Sequence, residues 1–100
     1  MIMFDKMKAL IEMQKKMQEL KRELDNTDFE ISSFDNLVKI KMNGSQEVKE
    51  VNILGDLSAM EKTNLEKIIK DTYNRAVKRS QGLAAEKMKG VTGLNIPGLT

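Results

Sequence analysis

The most chemically distinctive side chains in this sequence are cationic, and they gather towards its C-terminal end. Residues 67–100 carry seven basic and two acidic side chains, a net charge of +5, although the whole chain of 100 residues carries only +2. Five of these cations have only Glu86 nearby as an acid: Arg75, Lys78, Arg79, Lys87 and Lys89. Such a cluster can neutralise phosphate groups, so it predicts contact with a polyanion, although a solvated helix face would have the same composition.

A second set of cations recurs in the N-terminal segment. Lys8, Lys15 and Arg22 stand seven residues apart, so on a helix they share one face, and Lys16 follows Lys15 directly. Lys15, Lys16 and Arg22 are candidate contacts to the same polyanion. The alternative is pairing within the helix, because an acidic stripe runs beside these cations: Asp5, Glu12 and Glu19.

The residues that most catalytic and metal sites need are missing. There is no His to act as a general base and no Cys to form a thiolate site or a disulfide. The pairs Asp25/Asp28 and Glu47/Glu50 lie in polar, turn-like stretches, and no Gly-rich phosphate loop follows a strand. We therefore expect no enzyme activity, no metal, no cofactor and no small-molecule substrate.

The N-terminal cations require a long helix to position them. Met3–Leu24 reads as heptads with an apolar seam, and Lys6 is its only polar intruder. The helix cannot bury this seam alone, so the seam predicts packing within the core or against a second subunit. Four residues are assigned to it as the dimer or core seam: Leu10, Met13, Met17 and Leu20. Asp25-Asn26-Thr27 predicts the end of this helix.

An alternating stretch predicts a sheet between two helices. Phe29–Ser32, Leu37–Met42 and Val48–Leu54 form an antiparallel meander of three strands, with Val51 and Ile53 on its buried face. Asn43-Gly44 predicts a hairpin turn, because both residues tolerate positive φ, and residues 45–47 can lengthen the loop.

Apolar residues at helical spacing in the C-terminal half of the chain predict the helix that carries the basic cluster. The helical stripe runs from Leu65 to Leu83 and is interrupted at Gly82, while Asp56 and Ser58 compete to cap a short preceding turn. Gly90 and the later Gly and Pro residues predict a tail without regular structure. The result is a single α+β domain over residues 1–90 and a flexible C-terminal tail over 91–100.

Several segments together resemble the YbaB/EbfC family of bacterial nucleoid-associated proteins, over nearly the whole chain. These are Met13–Leu20, Leu37–Ile40 with Asn43-Gly44, Val51–Ile53, Asn74 with Ala76, Glu86–Met88, and the tail Gly93–Leu99. Two positions depart from the family pattern. Asp35-Asn36 stands where a Gly often precedes the second strand, and Arg75 replaces a common Asp.

The resemblance implies a tweezer-shaped α+β homodimer that binds double-stranded DNA with little sequence preference, in the bacterial cytoplasm at the nucleoid. It also implies effects on nucleoid organisation and gene expression. Seven of the cations become the candidate DNA contacts: Lys15, Lys16, Arg22, Arg75, Lys78, Arg79 and Lys87. No aromatic residue lies within the basic cluster to stack on bases, which argues against single strands and RNA.

Two alternatives to DNA binding stay open. The first is a non-enzymatic adaptor that uses its Met-rich helix to hold another protein. The second, weaker one is a protein on a membrane surface, which the mixed acids and the absence of Trp disfavour. No apolar run approaches the roughly 18 residues that span a bilayer, so we expect no membrane insertion.

Overall fold

The computed structural model describes the backbone of residues 2–92 and the side chains of residues 5–90. The elements follow in the predicted order and confirm the α+β class: α1 (Ile2–Asp25), β1 (Asp28–Ser32), β2 (Val38–Asn43), β3 (Val48–Ile53) and α2 (Lys62–Thr92). A 3-10 turn at Leu57–Ala59 precedes α2 and is capped by Asp56, whose carboxylate accepts the Ser58 N–H. The predicted tail lies outside the described residues from position 93 onwards.

The sheet is antiparallel, with β2 between β1 and β3. Alternation along β2 gives it one apolar and one polar face, as predicted: Val38, Ile40 and Met42 are buried. On the opposite face, Lys39 and Lys41 reach across to acids of β1, with Nζ to carboxylate distances of 3.7 Å to Glu30 and 4.0 Å to Asp28. That face is therefore a polar, solvated surface.

Small side chains let α2 lie close to the apolar face of the sheet. Thr72, Ala76 and Ser80 recur every four residues and are all buried against it. The Ser80 hydroxyl donates to the Asn43 carbonyl at 3.0 Å and accepts the Gln46 N–H at 3.1 Å, which ties the helix to the β2–β3 loop. The helix does not break at Gly82, and it continues past Gly90, where the sequence predicted irregular structure.

The prediction that Val51 and Ile53 are buried is wrong for the single chain. Both pair with core residues of β2, so they lie on the correct face, yet their exposed fractions are 53% and 39%. The reason is that α2 packs on β2 and β1 and leaves β3 uncovered. The apolar face of the sheet is therefore wider than the helix that covers it.

Among the described side chains of α1, from residue 5 onwards, those of the last turns pack inside the chain. Leu20 is buried, and Glu23 pairs with Lys87 of α2 at 3.8 Å. The remaining predicted seam residues are exposed, at 66% for Leu10, 45% for Met13 and 40% for Met17. The seam thus contributes one residue to the core and leaves an apolar strip along the rest of the helix.

The β2–β3 loop is built differently from the predicted Asn-Gly turn. Asn43 ends β2, and the positive φ of 64° falls on Gln46. The Asn43 side chain instead accepts the N–H groups of Ser45 and Glu47 and donates to the Asp25 carbonyl at 3.1 Å. The loop is therefore organised by a buried amide that also holds the end of α1.

Gly44 sits where this loop meets the end of α1. Its N–H donates to the Leu24 carbonyl at 2.9 Å. A Cβ placed at Gly44 would lie 2.7 Å from Leu24 Cδ2 and 3.1 Å from the Leu24 carbonyl oxygen. The close approach of two backbones therefore requires the absence of a side chain.

Replacing Gly44 with Ala should lower the free energy of unfolding by about 1–3 kcal/mol, because the loop must move away from Leu24. Gly82→Ala is the matched control, since nothing lies within 4 Å of its added Cβ. That change should raise stability by up to about 1 kcal/mol through helix propensity. Urea unfolding at one fixed protein concentration measures both, and equal effects of the two changes would contradict the close approach.

Candidate nucleic-acid interface

The first residue of the predicted basic cluster, Arg75 on α2, contacts the β1–β2 turn. Arg75 donates from Nη2 to the Ser32 carbonyl at 2.7 Å, and its guanidinium lies 4.3 Å from the centre of the Phe34 ring. Its Nε is buried and has no hydrogen-bond partner. These contacts direct Arg75 towards its own chain rather than towards a ligand on the outer side of α2.

Hydrogen bonds within the turn fix the position of Phe34. The Ser33 hydroxyl accepts the N–H groups of Leu37 and Val38, each at 3.0 Å, and donates to Asp35 at 2.6 Å. The Ser33 hydroxyl, and then the Leu37 N–H, lower the pKa of Asp35. Phe34 is 90% exposed at this turn.

Of the other cations in the α2 cluster, some contact their own chain and others are exposed without such a contact. Arg79 is exposed, with its guanidinium 5.9 Å from the centre of the Phe29 ring on β1. Lys87 is half-buried and pairs with Glu23. Lys78 is exposed and forms no ion pair with any residue that the structure describes. Of the four predicted contacts on α2, Lys78 is the one that forms neither an ion pair nor a ring contact with the described residues.

The cations of α1 are exposed, and their predicted partners do not pair with them. Over residues 5–90, the ion pair formed within α1 joins Lys21 to Asp25 at 3.2 Å. Lys15 and Arg22 therefore remain candidate contacts. Lys16 is placed differently: with Glu19, Leu20, Glu23 and Gly90 it lines a cleft of about 250 Å³ between the two helices.

A line of exposed lysines lies on the side of α2 that faces away from the sheet. Lys67, Lys78 and Lys89 are all exposed and stand eleven residues apart, which is close to three helical turns. Lys67 was not among the contacts predicted above, and Lys89 was only noted beside them. The sequence holds the signal in the eleven-residue spacing of these lysines, although Lys67 lies outside the dense basic cluster of residues 75–89.

Among the described residues, nothing indicates a metal site or a membrane span. Within residues 5–90, His, Cys, Asp and Glu do not form a group of three or more placed to hold a metal ion. Neither helix, over its described length, is both long and apolar enough to cross a bilayer.

The structure defines a small α+β protein with exposed cations along its last helix, a surface that can meet a polyanion. Residues 2–95 match the model of the YbaB/EbfC DNA-binding family. The chain is 40% identical over 85 residues to the nucleoid-associated protein MCA1327 of Methylococcus capsulatus, covering 84% of this chain and 79% of that protein. The chain belongs to the YbaB/EbfC DNA-binding family, which confirms the resemblance found in the sequence.

A solved structure supports the fold. The crystal structure of the uncharacterized protein HP0035 from Helicobacter pylori is similar with a TM-score of 0.62 and 21% sequence identity. The similarity covers 89% of this chain and 91% of that chain. At this identity the likeness establishes the architecture alone.

Replacing Arg75 with Gln should lower the free energy of unfolding by about 1–2 kcal/mol, because a carbonyl loses its donor and Phe34 loses its cation. Lys78→Gln removes the same charge three residues further along α2, from an exposed side chain that makes no such contact, and should change stability by less than about 0.5 kcal/mol. Chemical unfolding of the two variants side by side measures the difference. Equal stability would show that the Arg75 contacts contribute nothing.

Proposed function

We propose that this protein binds double-stranded DNA as a homodimer, through contacts to the phosphate backbone and with little sequence preference. The proposal places it in the cytoplasm at the nucleoid, where it affects nucleoid organisation and gene expression without catalysing a reaction. The observation that carries it is the exposed side of α2 with Lys67, Lys78 and Lys89, which form no ion pair within 4 Å with the described residues. Membership of a DNA-binding family supports DNA as the partner.

The chemistry around Phe34 supports duplex backbone contact over stacking on separate bases. Phe34 is an exposed aromatic residue beside the basic helix, and the Arg75 guanidinium covers one of its faces. Asp35 and Asp71 line the same cleft of about 140 Å³ and would repel phosphates there. A base-stacking platform needs a free aromatic face in a cationic groove. The second face of Phe34 is exposed, but the two acids beside it make the cleft unfavourable for a nucleic-acid backbone.

The uncovered part of the sheet supports the homodimer. Six apolar side chains with exposed fractions between 39% and 60% form what we call the β3 surface: Val48, Val51, Ile53, Leu54, Leu57 and Tyr73. The three strand residues continue the face that carries the buried core. Exposed apolar side chains that extend a core face are typical of a surface covered by another subunit, and a second copy doubles the cationic surface available to DNA.

The exposed seam of α1 supports a second candidate function. Leu10, Met13 and Met17 line a groove together with Gln14, Gln18 and Lys21. A partner protein could bury this strip, which is the adaptor alternative. The groove suits the second subunit equally well, and the dimer is preferred because it accounts for both uncovered surfaces with one partner.

Fluorescence anisotropy with a random duplex should give binding in the micromolar range at low salt. The logarithm of the association constant should fall linearly with the logarithm of the salt concentration, because each neutralised phosphate releases counterions. A single strand of the same length should bind more weakly. Absence of duplex binding at low salt would overturn the proposed function.

Replacing Val51 with Lys should convert the dimer to a monomer, because a charge would enter the apolar centre of the β3 surface. Asn52→Lys is the matched control, since Asn52 pairs with Lys39 on the polar face of the sheet. Sedimentation velocity measures both variants. A wild-type monomer would contradict the homodimer, whereas a dimeric Val51→Lys variant would move the interface away from β3.

A further inference from the structure

We propose that α2 lies along the axis of the duplex, outside the grooves, and meets both phosphate strands through one line of side chains. This line, the lysine ridge, consists of Lys67, Lys78 and Lys89. The inference rests on the proposed binding of double-stranded DNA and goes beyond it, since it gives the orientation of the helix and the length of the contact.

The spacing of the ridge matches the repeat of the duplex. Eleven residues of α-helix rise about 16.5 Å and complete close to three turns, so the three lysines stay in line. The separation between the α-carbons of Lys67 and Lys89 is therefore about 33 Å, near the roughly 34 Å of one turn of B-DNA. A line parallel to the duplex axis crosses one strand, then the other, then the first strand again within that length.

Each lysine of the ridge thereby meets a separate crossing of a phosphate strand. The outer two reach the same strand one turn apart, and Lys78 reaches the strand between them. The crossings are unevenly spaced because the two grooves differ in width, with about 12 Å for the major and 6 Å for the minor groove. The flexible four-carbon stem of each lysine accommodates this difference.

The ridge is free to make these contacts. It lies opposite the buried face of α2 formed by Thr72, Ala76 and Ser80, and the described residues offer none of its lysines an ion pair within 4 Å. Between Lys67 and Lys89 the acids are Asp71 and Glu86. Asp71 lies on the same side of the helix as the ridge, four residues after Lys67, and it also lines the cleft at the β1–β2 turn with Arg75.

The outward side of α2 between Lys78 and Lys89 carries small residues. Gly82 faces open space, and the neighbouring Ala85 is exposed. Nothing bulky between Lys78 and Lys89 holds the helix away from a duplex. A helix that reads bases needs long polar side chains that reach into the major groove, and this stretch has none on its outward side except Gln81.

Charge removal from the ends of the ridge provides the first test. Lys67→Gln/Lys89→Gln should weaken duplex binding at least about tenfold at moderate salt and reduce the salt slope by about 0.9 for each lost phosphate contact. The matched control is Lys39→Gln/Lys41→Gln, which removes the same charge from the opposite, polar face of the sheet. Binding by the control should stay within twofold of wild type.

Moving one charge provides the second test. Ala85→Lys/Lys89→Gln keeps the net charge and the exposed side of α2 but shortens the ridge from about 33 to about 27 Å. It should bind duplex DNA at least fivefold more weakly than wild type, while circular dichroism shows the same helix content. Binding equal to wild type would overturn the ridge spacing, because charge alone would then suffice.

The outcomes separate the two proposals. If the wild-type protein does not bind duplex DNA, the proposed function fails. If the wild type binds and Lys67→Gln/Lys89→Gln matches its control, DNA binding stands and the lysine ridge is wrong.

Discussion

Close packing of α2 on β2 is the interaction on which the rest of the molecule depends. Thr72, Ala76 and Ser80 are small, so the helix backbone lies close to the buried residues of β2. Larger side chains of α2 also pack against this core: Leu65, Ile68, Ile69 and Val77. That contact fixes the rotation of α2 about its own axis. Arg75 and Arg79 are thereby turned towards β1, the lysine ridge outwards, and the β3 surface is left open.

Buried polar side chains join the elements around this small core by hydrogen bonds. With four aromatic residues in 100, the chain connects its elements through buried hydroxyl and amide groups. Asn43 joins the loop to the end of α1, and Ser80 joins α2 to the same loop. The Ser45 hydroxyl, and then Lys21, lower the pKa of Asp25, so its carboxylate is stable at the end of α1 despite the unfavourable helix dipole.

The sequence predicts the elements well because alternation and helical spacing are local signals. It does not predict how far the helix covers the sheet, so Val51 and Ile53 were assigned to a core that α2 does not reach. It also treats Arg75 and Lys78 alike, since the partner that distinguishes them, the Ser32 carbonyl, lies 43 positions away. The Asn43-Gly44 signal predicted a loop correctly, but its chemistry comes from Leu24 and Asp25, which only the folded chain brings close.

The exposed part of α1 depends on another surface for its helical order. Residues 5–19 form helix with every side chain exposed, and an isolated helix of this length is marginally stable in water. Its backbone amides should therefore exchange with solvent far faster than those of β2 unless another surface covers the seam. Covering the seam must offset the conformational entropy lost when this arm is ordered. If the covering surface is the second copy proposed above, the helicity of α1 becomes a function of protein concentration.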